Sequence, residues 1–243
     1  VHTLNRRQVL TGAALAMGAA VAPWTPPPTR RPIGVPTIVH KYGRVRALWL
    51  GDSIAAGWIL PDPAQRPPAL FRAILNATDV ETPGRAYVID RARGGQTLCP
   101  SAGVSLTELL PSYLAGQTVT TAIIGIGVND LWLPGVTTAV WAAAYVRVVQ
   151  RLQAHNPAIR IIPCTMGPFG HGHPSAAHLD PIRRERNGWL EGFFGAAAVA
   201  NWSGALSDGA GRLAAGFDSG DLLHPNAAGS AALTAAVPLT RVV

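Results

Sequence analysis

The chain has 243 residues, 48% of them apolar, enough to bury one substantial core and with nothing that calls for a second catalytic-sized unit. The formal charge of +7 invites a nucleic-acid partner, yet the first 46 residues hold seven Lys/Arg and no acid, while the other 197 carry 13 basic and 13 acidic side chains. A protein that tracks phosphates needs its cations on the folded face that meets the polymer, so the charge argues against nucleic acid as a partner. Cys99 and Cys164 are too few for a disulfide scaffold and lack the close pairing of a zinc or redox motif; two buried free thiols are the plainer expectation, one bridge after export the alternative.

Asn5-Arg6-Arg7-Gln8-Val9-Leu10 sets paired arginines ahead of an uncharged stretch from Thr11 to Ala22. That stretch is too short to span a bilayer and has no recurring polar face, so it reads as a cleavable export signal over 1–22. The arginine pair, with an aliphatic residue two positions on, resembles a twin-arginine signal, although Val9 and Thr11 stand where the strongest signals carry Phe and Lys. Pro23, Pro26, Pro27, Pro28 and Pro32 forbid a continuous helix and make 23–34 an extended tether. The expectation is one exported domain over 35–243, secreted or in the cell envelope, with no stable membrane span once the signal is removed.

Within that domain the run Val45–Leu50 is rich in strand formers and closes on Gly51, a strand turning into a helix. Pro68–Asn76 has helical spacing, Ala86–Ile89 reads as a second strand, and Ser105–Leu114 as a helix despite Pro111. Thr118–Ile126 is a third strand, Thr137–His155 the longest amphipathic helix, and Ile159–Pro163 a fourth strand. A helix over Asp180–Phe194, a fifth strand-like run over Ala196–Trp202 and a last helix from Asn226 to about Ala236 complete the pattern. Five apolar runs separated by helices predict an α/β three-layer sandwich, a central parallel five-stranded sheet of flavodoxin-like type with helices on both faces. In such sheets functional groups collect at the carboxyl ends of the strands.

Three clusters fall at those ends. Ser53, in Gly51-Asp52-Ser53-Ile54, stands at the junction of the first strand and its helix, where a hydroxyl is exposed and the helix dipole favours developing negative charge. Ser also caps helices, so this position alone decides little. Asn129, after the third strand, can donate its amide to an oxyanion or simply close a turn. Asp221 and His224 are three residues apart, a spacing that lets the carboxylate hold the imidazole while it accepts a proton. The three together, in this order and at strand ends, make a nucleophile, a base with its orienter, and an oxyanion donor.

These segments resemble the GDSL, or SGNH, hydrolase family over about Val45 to Leu233. Ser53 with Ala56-Gly57 matches the nucleophile block, and Arg93-Gly94-Gly95-Gln96-Thr97 resembles the glycine block, with Gly94 one residue out of register. Asn129 matches the third block, and Asp221 and His224, followed by Pro225-Asn226 and Gly229, match the last. The resemblance implies a serine esterase or lipase: His224 deprotonates Ser53, Asp221 orients His224, and Ser53, Gly95 and Asn129 form the oxyanion hole. It implies no metal and no other cofactor. Ile54 stands where the family often has Leu, and Gln96 where Asp or Ser is frequent; neither change removes a catalytic atom. Asp52 and Asp130 read as structural carboxylates that bind nearby amides and fix the loops. The Gly-x-Ser-x-Gly elbow of the α/β-hydrolases is absent.

Trp58, Leu60, Trp132, Leu133 and Phe169 lie close in sequence to the catalytic loops and are candidates for an acyl or aryl pocket, with core packing as the competing account. His171, His173, His178 and Asp180 invite a metal site, but histidines in a Gly/Pro loop fit a cleft rim better. The substrate expected is a small-molecule, lipid or acylated-sugar ester. An acyltransferase or carbohydrate deacetylase would use the same residues, and a non-enzymatic surface-binding domain that kept the fold is the competing class.

Overall fold

Ala47, Leu48, Trp49 and Leu50 are all fully buried, a continuous apolar run of the kind that only a central strand covered on both faces can accommodate. They belong to β1 (Arg46–Gly51), which pairs in parallel with β2 (Tyr87–Asp90) on one side and β3 (Thr121–Gly125) on the other; β4 (Arg160–Pro163) completes the order β2-β1-β3-β4. The computed structural model describes residues 45–78, 86–101 and 104–242, so the expected signal, the tether and residues 35–44 of the expected domain lie outside the described residues.

The sheet has four strands rather than the five expected. The fifth run instead makes a 3-10 turn at Ala196–Ala198 and then a one-residue parallel bridge between Ala200 and Cys164. The Ala200 amide donates to Pro163 at 2.8 Å and its carbonyl accepts from Thr165 at 3.0 Å, after which Trp202 opens a helix. Alanine has little preference for a pleated surface, and Asn201 caps that helix by accepting from the Gly204 amide, so helix initiation truncates the strand.

From β1 the chain crosses leftward through α1 (Ser53–Ala56) and α2 (Pro67–Thr78) to β2, then returns rightward through α3 (Leu106–Leu114) to β3. Right-handed crossovers in opposite directions put α2 and α3 on opposite faces of the sheet. The long α4 (Thr138–His155) packs on α3 and on α5 (Ala176–Phe194), while α7 (Ala227–Ala235) packs on α2 and α6 (Trp202–Leu206). The result is the expected three-layer sandwich. Trp141 and Tyr145, four apart on α4, are fully buried, and Cys99 and Cys164 are separate buried thiols.

The reversal of direction at β1 opens a crevice between the carboxyl ends of β1 and β3, where ligands bind in open parallel sheets. The two strand ends are pressed together there. A Cβ on Gly51 would lie 2.2 Å from the Gly125 carbonyl oxygen, and one on Gly125 would lie 2.2 Å from the Trp202 ring.

Candidate active site

Ser53 is the first residue of α1, and the turn that presents it is made by its neighbours. Asp52 caps the helix by accepting the Ile54 amide at 3.1 Å, and its other oxygen accepts the amides of Gly127 and Val128 across the crevice at 3.2 and 3.4 Å. One carboxylate therefore joins the loop after β1 to the loop after β3. Burial pushes its pKa up to about 6 against the opposing pull of those three amides. Gly57 ends the helix in the left-handed conformation, and the Trp58 amide donates to the Ser53 carbonyl at 3.0 Å.

The imidazole arrives from the far end of the chain. His224 Nε2 lies 2.8 Å from Ser53 Oγ although 171 residues separate them, and His224 Nδ1 lies 2.5 Å from Asp221 Oδ2. With Nδ1–H donating to the carboxylate, the lone pair of the ring is on Nε2, so the Ser53 hydroxyl donates. Asp221 Oδ1 accepts the amides of Leu223 and His224 at 3.0 and 2.7 Å, and also the Ser219 hydroxyl. Desolvation opposes ionisation of Asp221, but the His224 amide, the His224 ring and the Leu223 amide outweigh it and hold the carboxyl below the usual carboxylate range. Ser53 is 8% exposed and His224 18%, so the pair is sheltered yet reachable.

Beside this line stand the other two motif loops. Gly95 adopts a positive φ of 74° in the turn after β2, with open space where a Cβ would be. Among the described residues no protein acceptor takes the amide of Gly95 or of Ser53. Asn129 gives one side-chain hydrogen to the Gln96 carbonyl at 2.9 Å, which leaves the second for another acceptor. Asp130, the next residue, accepts the amides of Leu98 and Cys99, both at 2.8 Å, and burial raises its pKa.

The candidate pocket residues do not form one wall. Trp58 is 69% exposed, its ring against Gly94, where a Cβ would come within 3.0 Å. Trp132 is 43% exposed and meets Phe169 edge-on at 5.9 Å, but Phe169 itself is buried in the core, as is Leu60, and Leu133 is half-buried against it. His173 lies tilted against Phe169 with centroids 4.7 Å apart and accepts the Ser175 amide on Nδ1. His171 contacts Arg212 at 2.6 Å, and Asp180 is held by Arg183 and Arg184. What residue types could not announce are contributions from the main chain: the Gln96 carbonyl behind Asn129, and the Gly170 amide, which donates to the Leu222 carbonyl at 2.7 Å.

A hydroxyl, an imidazole and a carboxylate thus stand in a hydrogen-bonded row at the carboxyl edge of a parallel sheet in a three-layer α/β fold. The chain belongs to the GDSL-like lipase/acylhydrolase family, whose model matches residues 49–232, and it is accordingly a hydrolase acting on ester bonds. Its fold is shared with solved structures of low sequence identity. A member of the lipolytic protein G-D-S-L family from Veillonella parvula is 16% identical, with a TM-score of 0.59, covering 79% of this chain and 95% of its own. A GDSL-like lipase from Bacteroides thetaiotaomicron is 16% identical, with a TM-score of 0.59, covering 96% and 95%. An acetyl xylan esterase from Geobacillus stearothermophilus is 22% identical, with a TM-score of 0.57, covering 81% and 94%. No curated protein matches the chain. Among the described residues no helix is long and apolar enough to cross a membrane.

Proposed function

We propose that the protein is a secreted serine esterase that cleaves carboxylic esters through an acyl-enzyme on Ser53. The observation that carries this reading is the 2.8 Å contact between His224 Nε2 and Ser53 Oγ, because a serine hydroxyl is a poor nucleophile without a base in reach. His224 takes the hydroxyl proton as Ser53 Oγ bonds to the acyl carbon, and Asp221 holds the ring and offsets the charge of the imidazolium that forms. The carbonyl oxygen becomes an oxyanion served by the amides of Ser53 and Gly95 and by the free hydrogen of Asn129. Collapse of that intermediate expels the alcohol, which takes the proton back from His224. Water then repeats the sequence, attacking the acyl carbon while His224 removes its proton, and the acid leaves from Ser53.

The substrate is a small-molecule, lipid or acylated-sugar ester, and the compact domain favours a small or medium acyl group. Purified protein is expected to hydrolyse p-nitrophenyl acetate or butyrate, with Ser53→Ala removing nearly all turnover; an undiminished rate in that variant refutes the assignment. Export belongs to the same reading and is motivated by Arg6-Arg7 ahead of the uncharged stretch. Replacing both arginines by lysine should hold the protein in the cytoplasm, and unimpaired export of that variant would reject the twin-arginine route.

A further inference from the structure

Leu222, between Asp221 and His224, has a φ of +66° and is the one non-glycine residue with positive φ among the described residues. Two hydrogen bonds hold it there. Its amide donates to Asp218 Oδ1 at 3.0 Å, and its carbonyl accepts the Gly170 amide at 2.7 Å. The loop after β4 also presses on it from the side, because a Cβ on Gly170 would lie 2.8 Å from Leu222 Cα, 2.9 Å from its Cβ and 3.1 Å from its Cδ2. A second tie, from the Leu213 amide to the Phe169 carbonyl at 2.9 Å, fastens the same loop to the segment leading to His224.

The left-handed turn has a chemical consequence for its two neighbours. It folds the chain back so that Asp221 Oδ1 accepts the amides of Leu223 and His224 while Oδ2 meets the ring at Nδ1. An extended or right-handed residue at 222 would redirect the chain before His224 and break that fork. We propose that Leu222 and Gly170 are positioning residues for the ester hydrolysis: the loop after β4 clamps residue 222 in the left-handed conformation and thereby sets the approach of His224 Nε2 to Ser53 Oγ. The proposal rests on the reading of Ser53 and His224 as nucleophile and base.

Side-chain chemistry separates this role from ordinary packing. Leu222 is half-buried, so a purely apolar role ranks valine above asparagine as its replacement. A left-handed backbone ranks them the other way, since a β-branched side chain resists positive φ and asparagine accepts it.

The test is steady-state hydrolysis of p-nitrophenyl butyrate, with thermal midpoints, by Leu222→Val, Leu222→Asn, Gly170→Ala and the double variant Gly170→Ala/Leu222→Gly. Leu222→Val is expected to lose roughly tenfold or more in kcat with KM within about twofold, and Leu222→Asn to turn over roughly tenfold faster than Leu222→Val. Gly170→Ala should also lose kcat, and the double variant, which keeps the 2.8 Å approach to the residue 222 Cα but sheds the Cβ and Cδ2 contacts and gains a glycine backbone that can yield, should recover at least about threefold of that loss. A valine variant as fast as the asparagine variant overturns the proposal, and so does a change confined to KM. Ser53→Ala, assayed alongside, reads the esterase assignment on its own: retained turnover there rejects the assignment, whereas the order of the residue 222 variants speaks only to positioning.

Discussion

Asn129 Nδ2 donates to the Gln96 carbonyl at 2.9 Å, so the loop after β3 is tied to the turn that carries Gly95. The second amide hydrogen is then oriented by the first, as an oxyanion donor must be before charge develops. Asn129→Ala should lower kcat by roughly 10²- to 10³-fold with little change in KM, because the interaction is made in the transition state. Kinetics with p-nitrophenyl butyrate check this; a rise in KM at constant kcat would assign Asn129 to ground-state binding.

Asp221→Asn should be more damaging than its partly exposed position suggests. With its oxygen kept by the Leu223 and His224 amides, the Asn side chain would turn an NH2 donor to Nδ1, favour the wrong tautomer and offset no imidazolium charge, so kcat should fall by roughly 10²- to 10⁴-fold. In acid the Asp221 carboxyl stays ionised longer than an ordinary carboxylate, since its pKa lies below the usual range. Any stability that Asp221 contributes is therefore present above its ordinary unfolded value and is lost only as pH falls through the lowered folded one. Thermal midpoints of the native protein and of Asp221→Asn over the acid range check this. An advantage of the native protein that grows as pH falls through the usual carboxylate range would contradict this account.

Asp52 titrates in the opposite sense. Its carboxyl rises from 3.8 to about 6 on folding, so between those values the folded state holds a proton that the unfolded state has released. Its contribution to stability is fully present below the unfolded value and is lost as pH rises through the folded one, by about 3 kcal/mol in order of magnitude. The advantage of the native protein over Asp52→Asn should accordingly be larger at about pH 4 than at about pH 7 by urea unfolding. An advantage that grows with pH would show that the amides of Ile54, Gly127 and Val128 win over burial.

Gly125→Ala should be among the most destabilising small substitutions in the chain. Its Cβ would enter the Trp202 ring, which also stacks on Trp49 with centroids 6.2 Å apart, so neither side can yield cheaply. A loss of about 1–3 kcal/mol is expected from overpacking alone, read as a lowered urea midpoint at unchanged m-value. A neutral outcome would mean that Trp202 has room to turn.

The four strands and five longer helices were legible because burial on both faces leaves a continuous apolar run and burial on one leaves a period of 3.6. The fifth strand was misread for the same reason. Ala196–Val199 is apolar enough for a strand, but composition carries no information about whether its backbone finds a partner, and the helix cap at Asn201 claims the chain first. The site divides along a similar line. Ser53, Asn129, Asp221 and His224 make their contacts through side chains whose types and spacing are visible in sequence, and the fold brings all four motif loops together. Gln96 and Gly170 contribute through a carbonyl and an amide that every residue possesses, so no residue type marks them. The aromatic candidates divide because nearness along the chain does not say which side of a loop a ring takes: Phe169 is buried, while Trp58 and Trp132 are exposed.

Cys99 and Cys164 are both sealed in the interior without a bridge. Burial, reinforced by the neighbouring Asp130, pushes the Cys99 thiol up to about 12, and burial drives Cys164 upward as well. Neither sulfur offers an appreciable thiolate at neutral pH, so folding requires no oxidant and reductants have nothing to cleave. The same concealment turns the pair into a built-in reporter. A maleimide added to the native enzyme can react only through an opening that uncovers one of the sulfurs, and the rate of mass gain would measure how often the loop at Cys99 or the end of β4 opens.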